Sequence, residues 1–301
     1  MFAAILTTLL FSASALSGRR LAEHLPGTLA NLTRLLFAAL LVGAWSHAFG
    51  FGVSGPGFWL FLVSGCVGFG VGDLALFQAY PRIGTRRTMV LVHCLAAPMA
   101  AGIEWAWLGA LPTATEALCG AVILAGVAVA LAPDKESAQP THGLGAGISF
   151  GLLAALCQAL GAVLSRKAYA VAAAGGLAIT GVSGGVNAAY QRLLGGLLVS
   201  GLFLVWLRVA HQPVSDARPA NWSRAWPLIL ANGLLGPALG VTCYQWALST
   251  TPTSIVLPIV ATTPLVVMPF AHYLEGDRVT WRTVLGGLLA VGGVVGLTLV
   301  R

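Results

Sequence analysis

Residues 251–300 hold two apolar runs, 254–273 and 283–300, joined by the short polar connection EGDRVTWR. Each run is long enough to cross a hydrocarbon core of ~30 Å at ~1.5 Å per helical residue. The first carries Pro258, Pro264 and Pro269, which a membrane helix absorbs through its neighbours more readily than a soluble one. The second is laced with Gly286, Gly287, Gly292, Gly293 and Gly296, the small-residue pattern that lets membrane helices approach closely. Residues 85–131 repeat this plan. With Pro98 laid on Pro264, Gly120 falls on Gly286 and Gly126 on Gly292, and no gap is needed. The chain contains a second copy of itself, which restricts its architecture more than any motif does.

The repeat reaches further back. FSASALSGRR near the start resembles QALGAVLSRK, and Arg34-Leu35-Leu36 matches Arg192-Leu193-Leu194. Apolar segments give ten expected spans: 2–18, 28–47, 58–80, 87–108, 115–132, 144–164, 186–206, 225–247, 254–273 and 283–300. Two five-helix units, 1–131 and 144–301, are joined by a hydrophilic linker at 132–143. An odd number of crossings turns the second unit upside down, so the expectation is an all-α polytopic membrane protein: ten transmembrane helices as two inverted five-helix repeats. The stretch 166–185 reads as a Gly-rich loop with a partial helix. The apolar N-terminal segment lacks a basic leader and matches 152–164, so it is expected to be a mature span.

Only 8% of the residues are charged against 57% hydrophobic, too little charge for a water-facing surface. The net charge of +7 is spread over the connections, which gives no footprint for nucleic acid. The odd-numbered connections carry twelve Lys and Arg, including Arg34. The other side carries four: Arg166, Lys167, Arg192 and Arg301. That bias places the odd connections in the cytoplasm and both termini outside. Cys66, Cys94, Cys119, Cys157 and Cys243 all lie in apolar runs without paired spacing, so they read as small buried hydrophobes, with no metal site and no cofactor implied.

Asp73 lies inside the third span, where a bare carboxylate costs at least ~2.5 kcal/mol. It is either a substrate or proton-coupling group, or an anchor paired with an arginine, a serine or freed backbone. Cys66 and Tyr80, seven residues to either side, are expected on its face. His93 and Glu104 in the fourth span are three turns apart and point one way, as two stations of a cavity wall or as a packing histidine and an interfacial carboxylate. In the eighth span Asn232, Gly236, Gly240 and Tyr244 recur every four residues. Under the repeat register Tyr244, Gln245 and Trp246 overlie Gln78, Ala79 and Tyr80. Gln78, Tyr80, Gln158, Asn232, Tyr244 and Gln245 are candidates for lining a cavity that suits a partly apolar, polar-headed ligand; Gln158, Tyr244 and Gln245 read alternatively as inter-helix hydrogen-bonders. Arg34 and Arg192, opening equivalent spans, read as interfacial anchors, with ligand clamps as the alternative.

The prolines and glycines of spans 4–5 and 9–10, with the turn Leu274-Glu275-Gly276-Asp277-Arg278, resemble the EamA-type branch of the drug/metabolite transporter superfamily. Gly72-Asp73 followed by Ile83-Gly84-Thr85-Arg86-Arg87, and Gln158-Ala159-Leu160-Gly161 with Leu164-Ser165-Arg166-Lys167, fit one subgroup. The first half departs from the pattern at Leu108-Gly109-Ala110-Leu111, which lacks the usual glutamate. The resemblance implies a cavity lined by spans 1, 3, 4, 6, 8 and 9, and alternating-access movement of a small metabolite, commonly export. Relatives with their termini inside stand against the charge count. Pro98 and Pro264 become hinge candidates, and proton or sodium coupling and a monomer or homodimer are expected, in a bacterial inner membrane. Gly70-Val71-Gly72-Asp73 and Pro237-Ala238-Leu239 also spell the signatures of intramembrane aspartyl proteases. Such catalysis needs two carboxyls sharing a proton, and Asp134, Asp216 and Asp277 fall in polar connections. No GK[ST] phosphate loop supports ATP-driven transport, and a non-selective pore is the remaining alternative to a carrier.

Overall fold

A computed structural model describes residues 2–108, 113–131, 143–176, 179–210, 220–251, 253–275 and 280–300. Every described element is helical. In chain order they are α1 (Phe2–His24), α2 (Gly27–Phe49), α3 (Phe58–Gly65), π1 (Cys66–Gly72), α4 (Asp73–Met89), π2 (Val90–Cys94), α5 (Leu95–Leu108) and α6 (Ala114–Leu131). The second part holds α7 (Leu144–Ala174), α8 (Gly181–Val209), α9 (Trp222–Gly233), π3 (Leu234–Gly240), α10 (Val241–Thr250), α11 (Thr253–Ala261), α12 (Thr263–Glu275) and α13 (Trp281–Val300). Six helical stretches are long and apolar enough to cross a membrane, and shorter apolar helices cover Leu118–Ala130, Ile259–Met268 and Trp281–Gly296. Large apolar side chains such as Leu40, Leu202, Trp206 and Leu239 face outward, as lipid requires.

The helices join into nine stretches among the described residues, one fewer than the expected ten spans, because 58–108 runs on without a connecting loop. Its helical path is broken at Gly84, at φ 76 and ψ 165. Only glycine occupies that region readily, and Pro81 three residues earlier has already removed one backbone donor. The expected third and fourth spans meet at this bend.

The expected loop at 166–185 is corrected. α7 continues to Ala174 because KAYAVAAA is rich in strong helix formers. It stops at Gly175-Gly176, where Gly176 takes φ 78, and α8 starts at Gly181 rather than at 186. The linker 132–143, Gly143 apart, and residues 276–279 of the EGDR turn lie outside the described residues.

Glycine sets the closest approaches. A Cβ on Gly126 would meet the Ala290 nitrogen at 2.4 Å, and one on Gly286 the Ala130 nitrogen at 2.4 Å. Gly293 meets Ile123 and Cys119, so contacts move up α6 as they move down α13, and the two helices are antiparallel. At Gly65 a Cβ would lie 1.8 Å from the Arg192 carbonyl oxygen, and at Gly195 it would lie 2.1 Å from that of Leu62. That crossing presses α3 directly on α8. Helix α1 runs through the middle, packed on α4, α9, π3, α10, α11 and α12.

The fourth and ninth spans are both irregular just before their matching prolines, Pro98 and Pro264. π2 ends at Cys94, the residue whose carbonyl Pro98 cannot bond, and α11 breaks from α12 at Thr262, two residues before Pro264. Hydroxyls bond the carbonyls of the second break: Thr263 Oγ1 donates to the Val260 oxygen, which Pro264 cannot bond, at 2.6 Å, and Thr8 Oγ1 donates to that of Ile259 at 3.0 Å. Cys94 Sγ lies 3.9 Å from the Ala261 carbonyl oxygen, which brings the two irregular regions together.

Candidate functional site

The helices surround a partly open cavity with about 90 Å³ of room for water-sized occupants, several times the ~10–15 Å³ that one water needs by that measure. All three π segments contribute to its wall: Gly68, Phe69 and Gly72 from π1, Val92 and His93 from π2, Gly236 and Pro237 from π3. A π turn carries an extra residue and loosens the carbonyl ladder. Three glycines in the seven residues of π1 and Pro237 in π3 explain why the helices yield at these places. The offset that lays Pro98 on Pro264 lays π3 on residues 68–74, almost coincident with π1.

One side of the cavity is a closed polar network around Arg34, which is only 5% exposed. Its Nη2 pairs with Asp73 Oδ2 and donates to Asn31 Oδ1 at 2.9 Å, while Nε donates to the same oxygen at 3.1 Å. Nη1 donates to Asn232 Oδ1 at 3.3 Å, and the guanidinium lies over the Phe77 ring at 4.9 Å. Asn31 Nδ2 donates to the Phe69 carbonyl oxygen in π1 at 3.0 Å and to Ser200 Oγ at 2.9 Å. Asn232 Nδ2 donates to the Ser14 carbonyl oxygen at 2.6 Å. The pair is thus tied to four other elements, the condition under which buried charge is tolerated.

Arg192 faces the same cavity and is 3% exposed. It has no hydrogen-bond or ion-pair partner among the described residues, and its Nε is buried and unsatisfied. Its guanidinium lies 5.2 Å from the Phe69 ring centroid, in space left by Gly68 and Gly161, whose absent Cβ atoms would sit 3.0 and 3.2 Å from Nη2. The anchor reading of both arginines is therefore corrected. Each lies well inside its helix, and the close crossings at Gly65 and Gly195 carry Arg192 into the centre. Their matching place in the repeat, Arg-Leu-Leu, was the signal available for finding them.

Of the residues singled out from sequence, Asp73, Tyr80, His93, Gln158 and Tyr244 line the cavity. Phe11 stands between two of them, with its ring centroid 5.9 Å from His93 and 6.0 Å from Tyr244. Tyr244 Oη is buried without a partner. Asn232 lies one bond behind the wall, held by Ser14 and Arg34. Asn232, Gly236, Gly240 and Tyr244 do share a side, the one packed on α1: Gly236 abuts Ser14 and Gly240 abuts Phe11.

Gln78 and Gln245 are not in the wall. Gln78 Oε1 accepts from Arg82 Nη1 at 2.7 Å, and Gln245 Nε2 reaches Ser165 Oγ at 3.4 Å. Cys66 also leaves the face of Asp73, because π1 between them shifts the register, and its sulfur turns toward Gly195. The side chain of Glu104 lies outside the described residues. Pro98 and Pro264 sit in α5 and α12, away from the cavity surface. Among the described residues span 9 supplies none of the wall, and spans 2 and 7 add the two arginines.

Apolar spans wrapped round a chamber that holds buried charge define an integral, multi-pass membrane protein with a solute-sized interior. Residues 145–299 match the model of the EamA-like transporter family, about half of the chain, and the chain belongs to that family of membrane transporters in the drug/metabolite superfamily. A solved crystal structure aligns with a TM-score of 0.67 at 16% identity, covering 99% of this chain and 96% of its own; at that identity it shows a shared fold. No curated protein matches the sequence.

Proposed function

We propose that the chain is a secondary transporter, working as an exporter of a small organic metabolite such as an amino acid, by alternating access around this central cavity. The observation that carries the reading is the cavity's wall. It draws on residues 11–93 and 154–244, so movement of one half against the other must reshape it. In this reading the chain is ten crossings in two inverted halves, 1–131 and 144–301, joined by 132–143. Support comes from the Gly84 bend, the antiparallel pairing of α6 with α13 and the matching π1 and π3. Pro98 and Pro264, each behind a weakened turn, are the bending points.

The protease alternative loses support from the same network, since the partner of Asp73 is a guanidinium and not a second carboxyl. Leaving Arg34 and Arg192 out of the charge count reduces each side by one, to eleven against three, and the proposed orientation keeps the termini outside a bacterial inner membrane. Proton or sodium coupling would act through the buried polar groups.

Vesicles reconstituted with the protein and loaded with pooled amino acids and small metabolites test the reading by mass spectrometry. Saturable depletion of one class under an imposed proton or sodium gradient is the expected result. Unsaturable loss of every small solute would indicate a pore, and no loss from folded protein would overturn the carrier assignment.

A further inference from the structure

We infer that the cavity binds the carboxylate of its solute at Arg192, with the Tyr244 hydroxyl as second donor; this deepens the transport reading and rests on it for the cavity being a substrate site. Among the described lining residues there are two guanidinium groups and one carboxylate. Asp73 is committed to Arg34, whose nitrogens are further occupied by Asn31 and Asn232. Arg192 lies against the face of Phe69 and within the field of Asp73, but among the described residues it makes no hydrogen bond or ion pair. A buried cation without hydrogen bonds is costly unless an anion completes it.

Tyr244, 1% exposed, lines the same chamber, and its Oη is buried without a partner. Gly68 and Gly161 make the space in which the guanidinium lies, so the fold holds the group in place rather than folding it outward. The planar fork of an arginine matches a carboxylate in two parallel bonds. Phe11, Leu76, Val92 and Val241 supply apolar wall for the rest of a small organic acid.

The test compares acids with their neutral amides. Wild-type protein in uncharged detergent is incubated with isovalerate and isovaleramide, phenylacetate and phenylacetamide, and leucine and leucinamide, and retained ligand is measured after gel filtration. The expected result is retention of at least one acid over its amide by tenfold or more. Arg192→Gln lowers that acid's affinity about 10- to 100-fold, and Arg192→Lys less. Tyr244→Phe lowers it about 2- to 10-fold without lowering the melting temperature, because it deletes a buried hydroxyl that has no partner in the empty state. Arg192→Gln protein that does not fold leaves Tyr244→Phe to decide.

Equal retention of acid and amide, retention of no acid in the panel, or an acid affinity that neither variant changes would overturn the assignment. So would displacement of the acid by equimolar chloride or by phosphatidylglycerol, which would mark an inorganic-ion or lipid-headgroup site. Acid binding that depends on Arg192 with no flux in vesicles would sink the transport reading and leave the site standing. Saturable flux of neutral or cationic solutes without acid binding would do the reverse.

Discussion

At the scale of residues, the two arginines show how position in a repeat and chemical role separate. Arg34 and Arg192 open the same Arg-Leu-Leu triplet, yet among the described residues only Arg34 is bonded to a carboxylate. Replacing Asp73 by Asn keeps the shape but strands a buried guanidinium, and breaking a buried pair from one side costs about 3–5 kcal/mol. Asp73→Asn is therefore expected to lower the melting temperature in detergent by several degrees as well as to impair transport. The double variant Arg34→Gln/Asp73→Asn should recover part of the loss, and a double-mutant cycle that comes out additive would remove the ion pair from the stability account. Sequence alone made Asp73 conspicuous because a lone carboxylate in an apolar run is costly. It left the partner undetermined between arginine, serine and backbone, because a guanidinium thirty-nine positions away is joined to it only by the packing of α2 on α4.

At the scale of elements, glycines that look alike in sequence do different work. Gly126 and Gly120 both sit in α6, yet a Cβ at Gly126 strikes the backbone of α13 while one at Gly120 meets nothing within 4 Å. Gly126→Ala should destabilise by about 1–3 kcal/mol through overpacking, and Gly120→Ala by less than about 0.5. Equal melting temperatures for the two would show that the helices are not so close. Gly84 fails for another reason. It has open space around it but φ 76 and ψ 165, so Gly84→Ala should cost about 1–3 kcal/mol from backbone strain alone. Periodicity of apolar residues located most of the helices. It could not show that spans 3 and 4 join without a loop, or that a π turn interrupts each of spans 3, 4 and 8. Both follow from local backbone choices at glycine and proline, and one inserted residue is enough to turn Cys66 away from the face it was expected to share with Asp73.

At the scale of the whole molecule, the charge pattern and the habit of similar transporters point opposite ways, and the inward placement of Arg34 and Arg192 sharpens the question. Neither is at an interface, so neither can report on sidedness, and the bias rests on residues such as Arg19, Arg20, Arg208 and Arg224. Arg19 is also tied to Glu23 at 3.6 Å, which leaves its positive charge intact because acidic neighbours weigh little in the rule. A cysteine placed at Lys135, in the linker between the proposed halves, should then be shielded from a membrane-impermeant maleimide in intact cells and react after permeabilisation. A cysteine added before Phe2 should react in intact cells, against a parent variant in which Cys66 and Cys119 are replaced to suppress background. Labelling of position 135 from outside, with the N-terminus protected, would reverse the orientation and make export run in the opposite sense through the same cavity. The inverted-repeat reading would survive that result, because two antiparallel halves with five crossings each place the linker opposite both termini in either orientation. Labelling of the linker and the N-terminus from one side would not be compatible with it, since an even number of crossings would then lie between them and the five-plus-five division would fall.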